Sequence, residues 1–185
     1  MGKLQLENKH ILVLAEQMYE DLELWYPVLR FREEGAQVVV AGTGKESYQG
    51  KHGYPVIVDA KVEEVSSGEF DAVIIPGGYA PDHLRRYPAV LKFIREIFEQ
   101  QKVVAAICHA GWVLISAGIL KGRQVTCFHA IKDDVINAGG IYHDEEVIRD
   151  DNLITSRQPS DLGAFCRTII QALEEQKSRQ GKKSK

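Results

Sequence analysis

Cysteine is scarce in this chain. Among 185 residues there are three, Cys108, Cys127 and Cys166, and no two stand at a spacing that suits a metal site or a disulfide. An odd, sparse set of thiols fits a reducing compartment, and neither a metal nor another cofactor is expected. Long apolar runs are missing too. The first ten residues hold no stretch of signal-peptide length, and the run Ile11 to Ala15 is far too short to cross a membrane, so a cytoplasmic protein with no membrane partner is expected. Gly2 follows Met1, but Leu6 stands where an N-myristoylation signal needs Ser or Thr. Repeats, low-complexity tracts and internal linkers are absent before residue 177.

The chain also lacks a basic body. Net charge is −3, and five bases (Lys177, Arg179, Lys182, Lys183, Lys185) lie in the last nine positions, which hold no acid. Without them 18 bases face 26 acids, so the rest of the chain is near −8. An acidic body argues against nucleic acid as the main partner. The length suits one domain with a full core, expected over residues 1–176, followed by a basic, disordered tail at 177–185.

What is present is an alternation of short β-rich runs and helical patterns. Ile11 to Ala15 reads as a buried strand, followed by a helix over 21–34 with Gly35 at its C-terminal end. Gln37 to Ala41 is the next strand, and Gly50 and Gly53 among β-formers predict a small hairpin within 44–59. Asp71 to Ile75 and Lys102 to Ile107 are further buried strands, separated by a helix over 89–101. A helix over 110–117 closes at Gly118. Val125 to Phe128 is strand-like, 131–138 a short helix, and Gly139-Gly140 opens a predicted hairpin through Val147 and Leu153 to Thr155. The last helix spans about 160–176. Continuously apolar strands between helices indicate an α/β fold with a mostly parallel sheet covered on both faces. Such sheets bind ligands beyond the carboxyl ends of their strands, after Ala15, Ile75 and Ile107 here.

Cys108 follows Ile107 at the point where strand turns to helix, the geometry of a nucleophile elbow. A helix N-terminus favours thiolate over thiol, which predicts a depressed pKa. Cys127, in the predicted strand, and Cys166, in an amphipathic helix, read as packing residues. His109 is either a capping residue or a base, and as a base it needs a carboxylate to orient it. Pro76-Gly77-Gly78 is either a tight turn or a source of backbone donors, in which the Gly78 and His109 N–H groups form an oxyanion hole. Glu20 and Glu23 share one helix face. They either complement the helix dipole or place a buried acid against the sulfur, where it would hold a proton and relay it. Of the two, Glu20→Gln is expected to do little.

Several segments together resemble the PfpI family, the intracellular protease I-like branch of the superfamily of the parkinsonism-associated deglycase. They are Glu20-Asp-Leu-Glu-Leu-Trp-Tyr-Pro27, Gly50-Lys-His-Gly53, Phe70-Asp-Ala-Val-Ile-Ile-Pro-Gly-Gly78, Ala80-Pro-Asp82, Ala106-Ile-Cys-His109, Ile115-Ser-Ala-Gly118, Ile131-Lys-Asp-Asp134 and Ser156-Arg157. The resemblance runs from about Ile11 to Leu173. It implies a flavodoxin-like three-layer sandwich that assembles as a homodimer or a hexamer. It makes Cys108 the nucleophile and Glu23, four residues before Pro27, the acid beside it. It makes Asp82 the acid that reaches His109 from a neighbouring subunit. Gly77, Gly78 and Ala110 are the candidate oxyanion or binding residues. Phe128 stands where relatives often carry a tyrosine, and Ala110-Gly111 replaces a more usual Gly-Pro. The implied activity is stress-protective chemistry on a small aldehyde or glycated substrate, of glyoxalase or deglycase type. A thiol peptidase acting on peptides is the alternative, and a redox sensor or holdase the non-enzymatic one. A class I glutamine amidotransferase fits poorly: Ala106 and Ala110 flank the cysteine where that class has glycines, and His143-Asp144-Glu145 falls in a predicted hairpin.

Overall fold

A computed structural model describes the backbone of residues 4–183 and the side chains of residues 4–176. The chain runs β1 (His10–Leu14), α1 (Asp21–Glu33), β2 (Gln37–Gly42), β3 (Ser47–Gln49), β4 (Pro55–Ile57), β5 (Ala60–Lys61), β6 (Ala72–Ile75), α2 (Ala80–Leu84) and α3 (Pro88–Glu99). It continues through β7 (Val103–Ile107), α4 (Gly111–Ala117), β8 (Gln124–Val125), α5 (Lys132–Asn137), β9 (Ile141–Tyr142), β10 (Val147–Asp150), β11 (Leu153–Ser156) and α6 (Leu162–Lys183). Seven strands form one sheet in the order β10-β11-β7-β6-β1-β2-β5. Every neighbouring pair is parallel except the edge pair β10 and β11.

The apolar runs explain the centre of this sheet. Every residue of β6 and β7 is buried, as a strand covered on both faces requires. Helices α1 and α6 pack together, as do α3 and α4, and these pairs cover the sheet in a flavodoxin-like three-layer sandwich. From β1 the chain moves outward to β2 and β5, then returns to β6 and moves the other way to β7 and β11. The topological switch point therefore lies between β1 and β6. Ligand crevices form at such points, and the ends of β1, β6 and β7 converge there.

Two expectations need correction. No strand covers Val125 to Phe128: β8 stops at Val125, and Cys127 lies outside any strand, although it is buried. The Thr126 N–H turns to the Thr155 hydroxyl and the Phe128 N–H to the Cys108 carbonyl, so this segment is tied to the elbow instead of extending a ladder. Nor does Gly139-Gly140 open a long hairpin. β9 pairs in parallel with β8 in a separate two-stranded sheet, and the hairpin is confined to β10 and β11, turned at Asp151 with φ +56°. The backbone of α6 continues to Lys183, past the predicted end near residue 176. The side chains of the basic tail, 177–185, lie outside the described residues. Among the described residues no helix is long and apolar enough to cross a membrane.

Candidate active site

Cys108 adopts φ +63°, a left-handed conformation that costs a non-glycine residue free energy and is held here by its surroundings. The fully buried strand β7 fixes it from one side, and the turn Cys108–Ala110 leading into α4 fixes it from the other. The result is the sharp elbow expected from the sequence. The Gly78 and His109 N–H groups lie near the sulfur and favour its charged form. The two predicted oxyanion donors thus converge on the nucleophile itself.

Gly77 and Gly78 end β6 and pass directly beneath the first turn of α1. A methyl group on Gly77 would lie 2.5 Å from Glu23 Oε2, 2.7 Å from Cys108 Cβ and 3.1 Å from Cys108 Sγ. One missing side chain is what lets acid and thiol share a space. Gly78, at φ +76°, has the Glu20 nitrogen and the Met18 carbonyl 2.5 Å from where a Cβ would stand. Both positions demand glycine. The Gly77 N–H donates to Glu23 Oε2 at 2.8 Å, so Gly77 serves the acid and is not an oxyanion donor as expected. Ala110 is fully buried in the turn, where it packs the elbow.

Glu23 has no exposed surface. Its Oε1 has no hydrogen-bond partner among the described residues, and the carboxyl lies beside the Cys108 thiol in the space that Gly77 leaves. Pro27, inside α1, has no N–H to donate to the Glu23 carbonyl. Burial pushes the Glu23 carboxyl up to about 8, against a weaker pull from the Gly77 N–H. It is protonated at neutral pH, as the sequence predicts. The thiol goes the other way from expectation. Burial first, and then the charge of an ionised Glu23, push Cys108 up to about 12. The predicted dipole effect loses because the sulfur is nearly enclosed and the turn ahead of the seven-residue α4 delivers only the His109 N–H. Acid and thiol titrate as one unit. When Glu23 carries the proton its repulsion of the thiolate disappears, and the Gly78 and His109 donors remain to hold charge on sulfur.

His109 is half-buried, packed 5.1 Å from the rings of both Trp112 and Phe128. Burial, with the nearby charges of Lys51 and His129, lowers its pKa, so the ring is neutral at physiological pH. Its Nδ1 is buried and unpartnered among the described residues. Asp82 does not fill that gap within the chain: it is exposed on α2 and pairs with Arg86 at 3.4 Å. Phe128 supplies an aromatic wall but no hydroxyl.

Glu20 is not a simple helix-end acid. It is buried, and Lys51 Nζ stands 2.6 Å from its Oε2, with His52 Nε2 3.5 Å from Oε1. Lys51 is the residue that reading the sequence missed. It lies in the β3–β4 turn, and its charge is felt at Cys108, Glu23 and His109. The only signal was the Gly50-Lys-His-Gly53 segment, which carries no chemistry until the turn folds onto the site. Glu20, Asp21 and His52 bring donor atoms within 4.8 Å of one another. Lys51 already occupies Glu20, and the Asp21 carboxylate accepts the His52 and Tyr54 N–H groups. Cys127 and Cys166 are buried, and burial pushes both thiols up to about 12.

Known proteins share this arrangement's frame. The DJ-1/PfpI family pattern matches residues 9–172. The chain is 45% identical over 164 residues to the deglycase PfpI of Pyrococcus furiosus, covering 89% of this chain and 99% of that one. It is 41% identical over 169 residues to the putative cysteine protease YraA of Bacillus subtilis, covering 90% and 99%. A crystal structure of a two-domain protein from Anabaena variabilis, with DJ-1/ThiJ/PfpI-like and ferritin-like domains, superposes with a TM-score of 0.88 at 45% identity. That match covers 90% of this chain and 48% of the two-domain one. With the family pattern spanning nearly the whole domain, the chain belongs to the DJ-1/PfpI family.

Proposed function

We propose that the protein is a cysteine-dependent, stress-protective enzyme of the cytoplasm that acts on reactive aldehydes or glycated adducts, with glyoxalase-like or deglycase chemistry. One observation carries this reading. A fully buried carboxylic acid, protonated at neutral pH, shares the space left by Gly77 with the sulfur of a strained elbow. That pairing moves single protons beside a thiol, which is what aldehyde chemistry needs. The deglycase name of the Pyrococcus furiosus relative supports the same class.

With methylglyoxal the steps balance as follows. The Cys108 thiolate attacks the aldehyde carbon while Glu23 gives its proton to the carbonyl oxygen, forming a hemithioacetal. The Glu23 carboxylate then removes the hydrogen of that carbon as a proton and returns it to the neighbouring carbon. The hydroxyl proton passes between the two oxygens, leaving a lactoyl thioester. Water cleaves the thioester to lactate, with one proton restored to Glu23 and one released. The Gly78 and His109 N–H groups steady charge on sulfur at the start and end. Glu23→Gln should lower methylglyoxal turnover by about 10²–10⁴-fold, the range of a lost general acid–base. Turnover equal to wild type would reduce Glu23 to a packing residue.

A peptidase reading has one observation in its favour. The unpartnered, buried Nδ1 of His109 invites an acid, and this reading supplies it as Asp82, exposed on α2, from a second subunit of a homodimer or hexamer. The putative protease name of the Bacillus subtilis relative points the same way. Leaving-amine protonation would need that pair, whereas aldehyde isomerisation would not. Three unpaired thiols fit the reducing compartment proposed.

A further inference from the structure

We infer that the ion pair between buried Glu20 and exposed Lys51 is a positioning device that decides where the proton of the Cys108–Glu23 pair resides. The inference rests on the reading of Cys108 and Glu23 as the reactive pair. Its own support is geometric. The Lys51 turn is clamped onto the start of α1. The Lys51 N–H donates to the Tyr19 carbonyl at 2.8 Å, and Asp21 accepts the His52 and Tyr54 N–H groups at 2.9 and 3.0 Å. Gly50 has no side chain because the Asp21 carboxylate stands 2.4 Å from where its Cβ would be. A lysine on such a turn is held in place, and its ammonium meets Glu20 at 2.6 Å.

Glu20 in turn is wired to the reacting groups. Its N–H donates to the Gly77 carbonyl at 3.1 Å, and the N–H of the same glycine donates to Glu23 at 2.8 Å. The charges that face Glu23 and Cys108 are thus Glu20 and Asp21 from α1, Lys51 and His52 from the turn, and His109 from the elbow, with Tyr19 and Tyr54 alongside. Glu20 and Lys51 are the close, opposite pair in this set. They act on Glu23 in opposite directions, Glu20 favouring its proton and Lys51 opposing it.

Breaking the pair from either side gives opposite results. Glu20→Gln leaves the Lys51 charge uncompensated, which favours thiolate. Lys51→Met leaves the Glu20 charge uncompensated, which disfavours it. A unit charge several ångströms from the sulfur, at an effective dielectric of about 20–40, is worth about one pH unit. Iodoacetamide labelling of Cys108 in the full-length protein, followed by peptide mass spectrometry from pH 5.5 to 9.5 (roughly the window in which the pair titrates), reads this directly. The midpoint of the rate profile should fall by about one unit in Glu20→Gln, or about tenfold faster labelling below the midpoint, and rise by about one unit in Lys51→Met. Lys51→Arg should match wild type. Unmoved midpoints, or shifts of one sign in both charge variants, would overturn the inference. If Glu20→Gln does not fold, Lys51→Met against Lys51→Arg decides: a rise only in the former supports it, and equal midpoints overturn it. Opposite shifts without aldehyde turnover would sustain the ion-pair inference and defeat the proposed reaction. Labelling of Cys108 no faster than Cys127 and Cys166 at every pH would defeat both.

Discussion

Replacing Glu23 by Gln should stabilise the fold at alkaline pH while disabling the chemistry. Burial raises the Glu23 carboxyl from its ordinary 4.5 to about 8. The folded state therefore holds this proton more tightly than the unfolded chain. That contribution to stability is complete below pH 4.5, is lost as pH rises toward 8, and is flat above. At 1.36 kcal/mol per unit, wild type loses about 4 kcal/mol between pH 5 and pH 8.5 from this group. Gln has no such titration. The shape also fits: the amide oxygen can accept the Gly77 N–H in place of Oε2, and the amide nitrogen takes the unpartnered Oε1 position. Any fixed penalty for burying that amide, about 1–3 kcal/mol if unpaired, applies equally at both pH values and cancels from the difference. The lowered His109 pKa is common to both proteins and cancels as well. Urea unfolding under reducing conditions should show the stability of Glu23→Gln relative to wild type improving by about 4 kcal/mol from pH 5 to pH 8.5, or roughly 10 °C in Tm. Parallel pH dependences in the two proteins would refute the buried, proton-holding Glu23.

Two further substitutions test the geometry. Gly77→Ala forces a methyl into the gap between Glu23 and Cys108, so calorimetry should register a loss of about 1–3 kcal/mol, with aldehyde turnover falling far more than the stability loss explains; unchanged turnover would separate the acid from the thiol. Asp82→Ala should impair peptide cleavage more than methylglyoxal turnover, and equal losses in both would remove Asp82 from a His109-specific role.

Much of this architecture is legible in the sequence because it depends on local pattern. The run Val103 to Ile107 could only be a doubly covered strand, and Gly118, at φ +74°, ends its helix as the αL rule requires. The sheet rule then locates Cys108 and Glu23 at one crevice. What the pattern could not carry was anything settled by solvation or by long-range contact. The thiol expectation failed because the helix-end effect is local, whereas burial of the sulfur comes from β6, α1 and the elbow closing together. Lys51 was invisible as a site residue because it reaches Glu20 across 31 positions of sequence, through a turn clamped by Asp21. Val125 to Phe128 looked like a strand by composition, but the Thr126 and Phe128 N–H groups are claimed by Thr155 and Cys108.

The central claim is that Cys108 turns over reactive aldehydes. Its most direct test is proton NMR of purified protein with methylglyoxal and no added thiol, comparing wild type with Cys108→Ser. The account predicts lactate from wild type, at a rate that climbs with pH up to about 8 as the acid–thiol pair gives up its first proton, and none above background from Cys108→Ser. Equal lactate formation by the two proteins, or none by wild type, would contradict it.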